Sequence, residues 1–144
     1  MSEHAPLELE RFLPYRLSIL SNTVSQAIAR EYQQRFELSV TEWRVMAVLA
    51  RFDTLSAREV AERTAMDKVA VSRALAGLVA CGRVIRRIDA GDKRRSVLRL
   101  STSGWKIHDA VAPLARAQER KLLARLNAEE QDWLDQILNK LAPA

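Results

Sequence analysis

The chain has 144 residues, nearly half of them hydrophobic, with only four Gly and four Pro, so it can bury a core without disulfides or metal and is not a disordered polymer. Its formal charge of +5 is concentrated: residues 58–99 hold eleven Lys and Arg against five Asp and Glu, and the rest of the chain carries no positive excess. No apolar run approaches the ~18 residues of a membrane span, Met1-Ser2-Glu3-His4-Ala5-Pro6 has no secretion-signal character, and Cys81 is the single cysteine, so a cytoplasmic protein without membrane partners is expected.

In chain order, a first long helix is predicted from about Leu7–Glu10 to Phe36. Phe12, Leu13, Leu17, Leu20, Val24, Ala27 and Ile28 recur at three- and four-residue spacing, and Pro14 either kinks this helix or marks its effective start. After a connector at 37–40, Thr41 is the expected N-cap of a helix over 42–52 that turns Trp43, Met46, Ala47, Leu49 and Ala50 inward. Ser56-Ala57-Arg58-Glu59 has capping-box spacing and opens a short helix to about Arg63. Thr64-Ala65-Met66 then forms a turn, and Asp67 caps a further helix whose buried stripe is Val71, Leu75, Leu78 and Val79. Lys68, Ala70, Ser72 and Arg73 fall on the other side of that helix or at its margins. Gly82 suits the left-handed position after its end.

Two β-like runs follow, 84–88 and 96–100, around the turn Asp89-Ala90-Gly91-Asp92-Lys93-Arg94-Arg95. A helix from about Trp105 to Leu126 comes next, with a kink expected at Pro113. Asn127-Ala128-Glu129-Glu130 repeats the capping-box spacing, and Trp133, Leu134, Ile137, Leu138 and Leu141 make a final amphipathic helix. The order is therefore α-α-α-α-β-β-α-α: a mainly α fold, formally α+β, organised as one domain over 1–144. A helix followed by a hairpin with three consecutive cations at its tip is the pattern of a winged helix-turn-helix, here over 41–104, which reads the major groove with the helix and reaches the minor groove with the wing. The flanking helices, 7–36 and 105–144, carry more apolar surface than a small winged domain can cover. A homodimer built through them is expected.

The residues resemble the MarR family (multiple antibiotic resistance regulators) over nearly the whole chain. Thr41-Glu42-Trp43-Arg44 with Leu49 is similar to the family's helix start, although Glu42-Trp43 stands where a Gln and an aromatic are commoner. Ser72-Arg73-Ala74-Leu75 with Leu78 and Gly82 is similar to the recognition-helix pattern S/T-R-x-L-x-x-L-x-x-x-G. Asp92-Lys93-Arg94, followed by Leu98, Leu100, Ser101 and Gly104, is close to the wing signature D-x-R-x-x-x-L/V-x-L-S/T-x-x-G.

The resemblance implies a dimeric regulator, commonly a repressor, on a pseudo-palindromic double-stranded DNA operator. It places Lys68, Ala70, Val71, Ser72 and Arg73 at the reading helix and Arg94 in the minor groove. Asp92 would hold the Arg94 guanidinium extended, and Lys93 and Arg95 would touch phosphates. It also implies release by a small aromatic or acidic effector. Phe12-Leu13-Pro14-Tyr15-Arg16-Leu17 with Ser21-Asn22 resembles the subset of the family tied to aromatic acids and hydroxycinnamoyl-CoA thioesters, which makes Tyr15, Arg16, Asn22 and Trp43 the candidate effector residues.

Other chemistries find little support. His4 and His108 are far apart, and the chain has no Gly-rich phosphate loop, no HExxH and no GxSxG, so no enzyme, cofactor or metal is expected. Two alternatives remain: a redox-sensing regulator acting through Cys81, against which a buried structural thiol is the better expectation, and a winged-helix interaction module that does not read DNA.

Overall fold

Backbone satisfaction at the helix ends sets the boundaries in the computed structural model, which describes residues 4–143; Met1-Ser2-Glu3, part of the segment examined for a secretion signal, lie outside it. After a short 3-10 turn at Leu9–Arg11, helix α1 runs Leu13–Phe36. Pro14 falls in its first turn, where a missing N–H leaves no helical bond unmade, so it marks the start of the helix.

Helix α2 spans Val40–Phe52. Its N-cap is Ser39 and not the expected Thr41: the Ser39 hydroxyl accepts from the Glu42 amide at 3.1 Å, and Glu42 Oε1 accepts from the Ser39 amide at 3.0 Å. Glu42 lies three residues beyond Ser39, the spacing this reciprocal pair requires, which leaves Thr41 inside the helix. Ser56 and Glu59 close the same box at the start of α3, Ala57–Thr64. Asn127 and Glu130 do so at α6, Ala128–Leu141.

Asp67 caps α4, Lys68–Ala80, by accepting from the Ala70 amide at 3.1 Å. The helix ends in a Schellman turn: Gly82, at φ +74, donates to the Val79 carbonyl, and Arg83 donates to that of Leu78. This turn overturns the expectation of a buried thiol. Cys81 would continue the buried stripe of α4, but the helix has ended there and the chain swings away, so Val84 enters the core and Cys81 is exposed.

Strands β1, Val84–Ile88, and β2, Ser96–Leu100, pair antiparallel with Val84 opposite Leu100 and Ile88 opposite Ser96. Leu55 adds a bridge to Leu98, so the loop after α2 extends the hairpin by one rung. Helix α5, Thr102–Leu123, continues through Pro113. The expected single domain resolves by contacts into two compact units, one formed by Ala29–Pro113 and the other by the described residues up to Ile28 and from Leu114 onward.

The unit at 29–113 has the deeper core. Val45, Met46 and Leu49 of α2 and Val60 of α3 meet Val71, Leu75 and Leu78 of α4, and Leu55, Val84, Leu98 and Leu100 close it from the hairpin side. Each such side chain contributes about 1.5–3 kcal/mol by leaving water. Arg83 ties the end of α1 to this unit by donating to the Phe36 carbonyl at 2.7 Å, a cation at a helix C-terminus. In the other unit, Gln131 of α6 donates to the Leu123 and Leu126 carbonyls and fixes the α5–α6 turn.

Candidate nucleic-acid interface

Helices α3 and α4 form the helix-turn-helix. Thr64 ends α3 with its hydroxyl on the Ala61 carbonyl, Ala65 turns through φ +54, and Asp67 starts α4. Because Val71, Ala74, Leu75 and Leu78 face the core, helical geometry turns Val69, Ser72, Arg73 and Ala76 outward, and all four are exposed. Lys68 is exposed at the N-terminal end of this face and Ala70 is half-buried at its edge.

Val71, which the helical pattern set in the buried stripe and the resemblance set among the DNA-contacting residues, is 1% exposed and belongs to the core. The outward face carries instead Val69, 59% exposed, a residue not singled out from the sequence. Val69 puts exposed methyl groups, and Ser72 and Arg73 hydrogen-bonding groups, on one face of α4. Among the described residues Arg73 has no ion-pair partner.

The wing tip is a set of backbone-directed turns. Asp89 Oδ1 accepts from the Gly91 amide at 2.9 Å, and the Asp89 amide donates to the Arg95 carbonyl at 2.8 Å. Asp92 Oδ1 accepts from the Arg94 amide at 3.0 Å. Asp92 thus meets Arg94 through the main chain and not, as expected, through the guanidinium; a carboxylate two residues back reaches the amide first and forms an Asx turn. The Arg94 side chain is left exposed and unpaired among the described residues, as is that of Lys93.

Arg95, expected at a phosphate, is engaged within the protein. Its guanidinium hydrogen-bonds Glu59 of α3 and stands 3.9 Å from Asp89 Oδ2. Hydrogen bonds from the Ser56 backbone and hydroxyl hold the Glu59 carboxyl below its ordinary value of 4.5 against desolvation, and the charge and hydrogen bond of Arg95 add to the lowering.

Of the candidate effector residues, Tyr15, Arg16 and Asn22 are exposed on α1 in the unit that ends at Ile28. Trp43 is half-buried on α2 in the other unit, stacked on His108 with ring centres 5.7 Å apart and tilted against Tyr32 at 6.1 Å. Trp105 meets the same His108 edge-on at 5.3 Å. This aromatic cluster was not legible in the sequence, since its members lie up to 76 positions apart on three helices. Among the described residues no His, Cys, Asp and Glu cluster could hold a metal ion, and no helix is long and apolar enough to cross a membrane.

A helix-turn-helix with an exposed face on its second helix, followed by a hairpin whose tip carries Lys93 and Arg94 unpaired among the described residues, defines a winged helix-turn-helix DNA-binding protein. Residues 36–95 match the family model described as MarR family. The transcriptional regulator HosA of Escherichia coli O157:H7 is 30% identical over 122 residues, covering 85% of this chain and 90% of HosA. A mutant MarR from E. coli complexed with operator DNA superposes with a TM-score of 0.79 at 24% identity, covering 96% of this chain and all of that one. Bordetella bronchiseptica BpsR, whose DNA binding is regulated by 6-hydroxynicotinic acid, superposes at 0.82 with 18% identity, covering 97% and 99% of the two chains. The chain belongs to the MarR family of transcriptional regulators: a DNA-binding regulator, not an enzyme.

Proposed function

We propose that this chain is a dimeric repressor that binds a two-fold-related double-stranded DNA site and is released by a small aromatic or acidic molecule. The observation that carries the reading is the pairing of an outward Val69–Ser72–Arg73 face on α4 with an Arg94 side chain that is unpaired among the described residues at the wing tip. The helix face supplies base-edge contacts and Arg94 enters the adjacent minor groove. Lys68 and Lys93 neutralise phosphates, Ala70 lies at the edge of the reading face, and Asp92 shapes the turn that presents Arg94.

The dimer is supported by the apolar residues left exposed on α1 and α6, among them Leu13, Leu17 and Leu20, and Trp133, Ile137, Leu138 and Leu141. Such surface at both ends of a chain is what an isologous interface covers. For the effector, BpsR supplies the chemistry of an aromatic acid. In this chain the Arg16 guanidinium would pair a carboxylate, or the phosphates of an aromatic acyl-CoA thioester, Tyr15 would meet a ring, and Asn22 would add a hydrogen bond. Release follows when the effector binds a dimer geometry that no longer matches successive major grooves. A role on DNA places the protein in the cytoplasm.

The test is selection from a randomised duplex pool at near-physiological salt. Enrichment of an inverted repeat with half-sites about one helical turn (~10 bp) apart is expected. Retention of DNA without sequence preference, or of none, would overturn the operator reading and favour an interaction module. Adding 6-hydroxynicotinic acid and related aromatic acids to the complex with the selected site then reads out release.

A further inference from the structure

The hairpin cannot hold its own tip in place. Two five-residue strands make a pair that is marginally stable alone, and its buried apolar residues, Val84, Leu98 and Leu100, lie on the base and middle rungs and not at the tip. Toward the tip Ile88 is 71% exposed, so its burial does not anchor the turn that carries Arg94. One ion pair among the described residues joins the hairpin to a helix, and it is made by Arg95.

We propose that Arg95 is a positioning residue: it locks the wing to α3 through Glu59 and Asp89, sets the direction in which Arg94 meets the minor groove, and does not itself bind phosphate. This rests on the regulator reading above. Both carboxylates are fixed by backbone amides before Arg95 reaches them, Glu59 by the Ser56 amide at 3.1 Å and Asp89 by the Gly91 amide at 2.9 Å. A guanidinium bridging two pre-set carboxylates, one on α3 and one at the end of the first hairpin arm, leaves the tip little freedom to swing. The neighbouring cations therefore divide the work, Arg95 turned in toward α3 and Arg94 free for DNA. Surface pairs of this kind contribute little to global stability, so the effect belongs to binding geometry.

The test is a double-mutant cycle on binding to the selected site, with affinity measured against salt concentration and minor-groove protection read by hydroxyl-radical footprinting. The variants are Arg95→Ala, Arg95→Lys, Glu59→Gln and the double Glu59→Gln/Arg95→Ala, with thermal melts confirming that each folds. Glu59→Gln keeps the capping box, because a glutamine at that position still accepts from the Ser56 amide.

Arg95→Ala is expected to weaken specific binding about tenfold, the order of one wing contact, with protection lost where the wing lies and with non-specific affinity and salt slope unchanged. Glu59→Gln should reproduce most of the loss, the double variant should bind no more weakly than Arg95→Ala, and Arg95→Lys should recover part of the affinity. A salt slope reduced by about one in Arg95→Ala, with Glu59→Gln silent, would make Arg95 a direct phosphate contact and overturn the proposal. So would unchanged binding in every variant. A wild-type protein that selects no site sinks the regulator reading, and the positioning role with it, whatever the variants do.

Discussion

Arg94 and Arg95 are adjacent in sequence and opposite in circumstance, and that difference is the residue-scale account of the wing. Arg94 has an amide held by Asp92 and a guanidinium with no partner among the described residues, so the fold does not depend on its side chain. Arg94→Ala is expected to weaken specific binding by about 1–3 kcal/mol with an unchanged melting temperature, measured by anisotropy and calorimetry. A second residue-scale consequence concerns Tyr32. Its ring is fully buried and its hydroxyl has no hydrogen-bond partner among the described residues. Burial, reinforced by Glu42 and opposed by Arg44, pushes its pKa up to about 12, so the ring stays neutral at any working pH. A buried, unpaired hydroxyl costs ~1–3 kcal/mol, and Tyr32→Phe is therefore expected to leave stability unchanged or raise it by about 1 kcal/mol in denaturant titration.

At the scale of elements, the junction of the hairpin with α5 is built on close backbone approach. A Cβ on Gly104 would collide with the Arg83 carbonyl oxygen and press on Leu100. That oxygen also accepts the Ser101 amide, and the Ser101 and Ser103 hydroxyls both donate to the Gly82 carbonyl beside it, so the backbone there has no room to yield. Gly104→Ala is expected to cost about 3 kcal/mol, read as a lowered denaturation midpoint. The start of α3 and the wing contact share one carboxylate, Glu59, whose pKa is lowered in the fold chiefly by the Ser56 hydrogen bonds. A depressed carboxylate stabilises fully above its unfolded value near 4.5, and that contribution is lost as pH falls through the lower folded value. Amide exchange at Glu59 and through the wing should thus be insensitive to closing effects of pH between 5 and 8, once the intrinsic rate is removed, and should lose protection below about 4.5.

For the whole molecule, α1 and α6 leave apolar faces exposed that the single chain does not cover. Leu138→Glu with Leu141→Glu places two carboxylates on the α6 face, and monomers are expected by sedimentation equilibrium if that face is the interface. The same variant should bind a single half-site as the wild type does and lose the extra affinity that a two-fold site confers. Half-site spacing is a property of two chains joined, and one winged unit cannot measure it.

The element order, two of the three capping boxes, the Schellman glycine, the hairpin and the family signature were all legible in the sequence, because each is a local pattern within a few residues. Ser39 was also local, but it was obscured by Thr41, a better-placed cap by eye that lacks a glutamate three positions on. What the sequence could not supply were partners at a distance. Whether Arg95 faces a phosphate or Glu59, whether Cys81 is buried, and which aromatics gather around His108 depend on where elements far apart in the chain come together. Local hydrogen bonding fixes where a helix starts and stops. Only packing decides which of its faces is left to meet another molecule, since burial is a property of neighbours that the chain brings in from elsewhere.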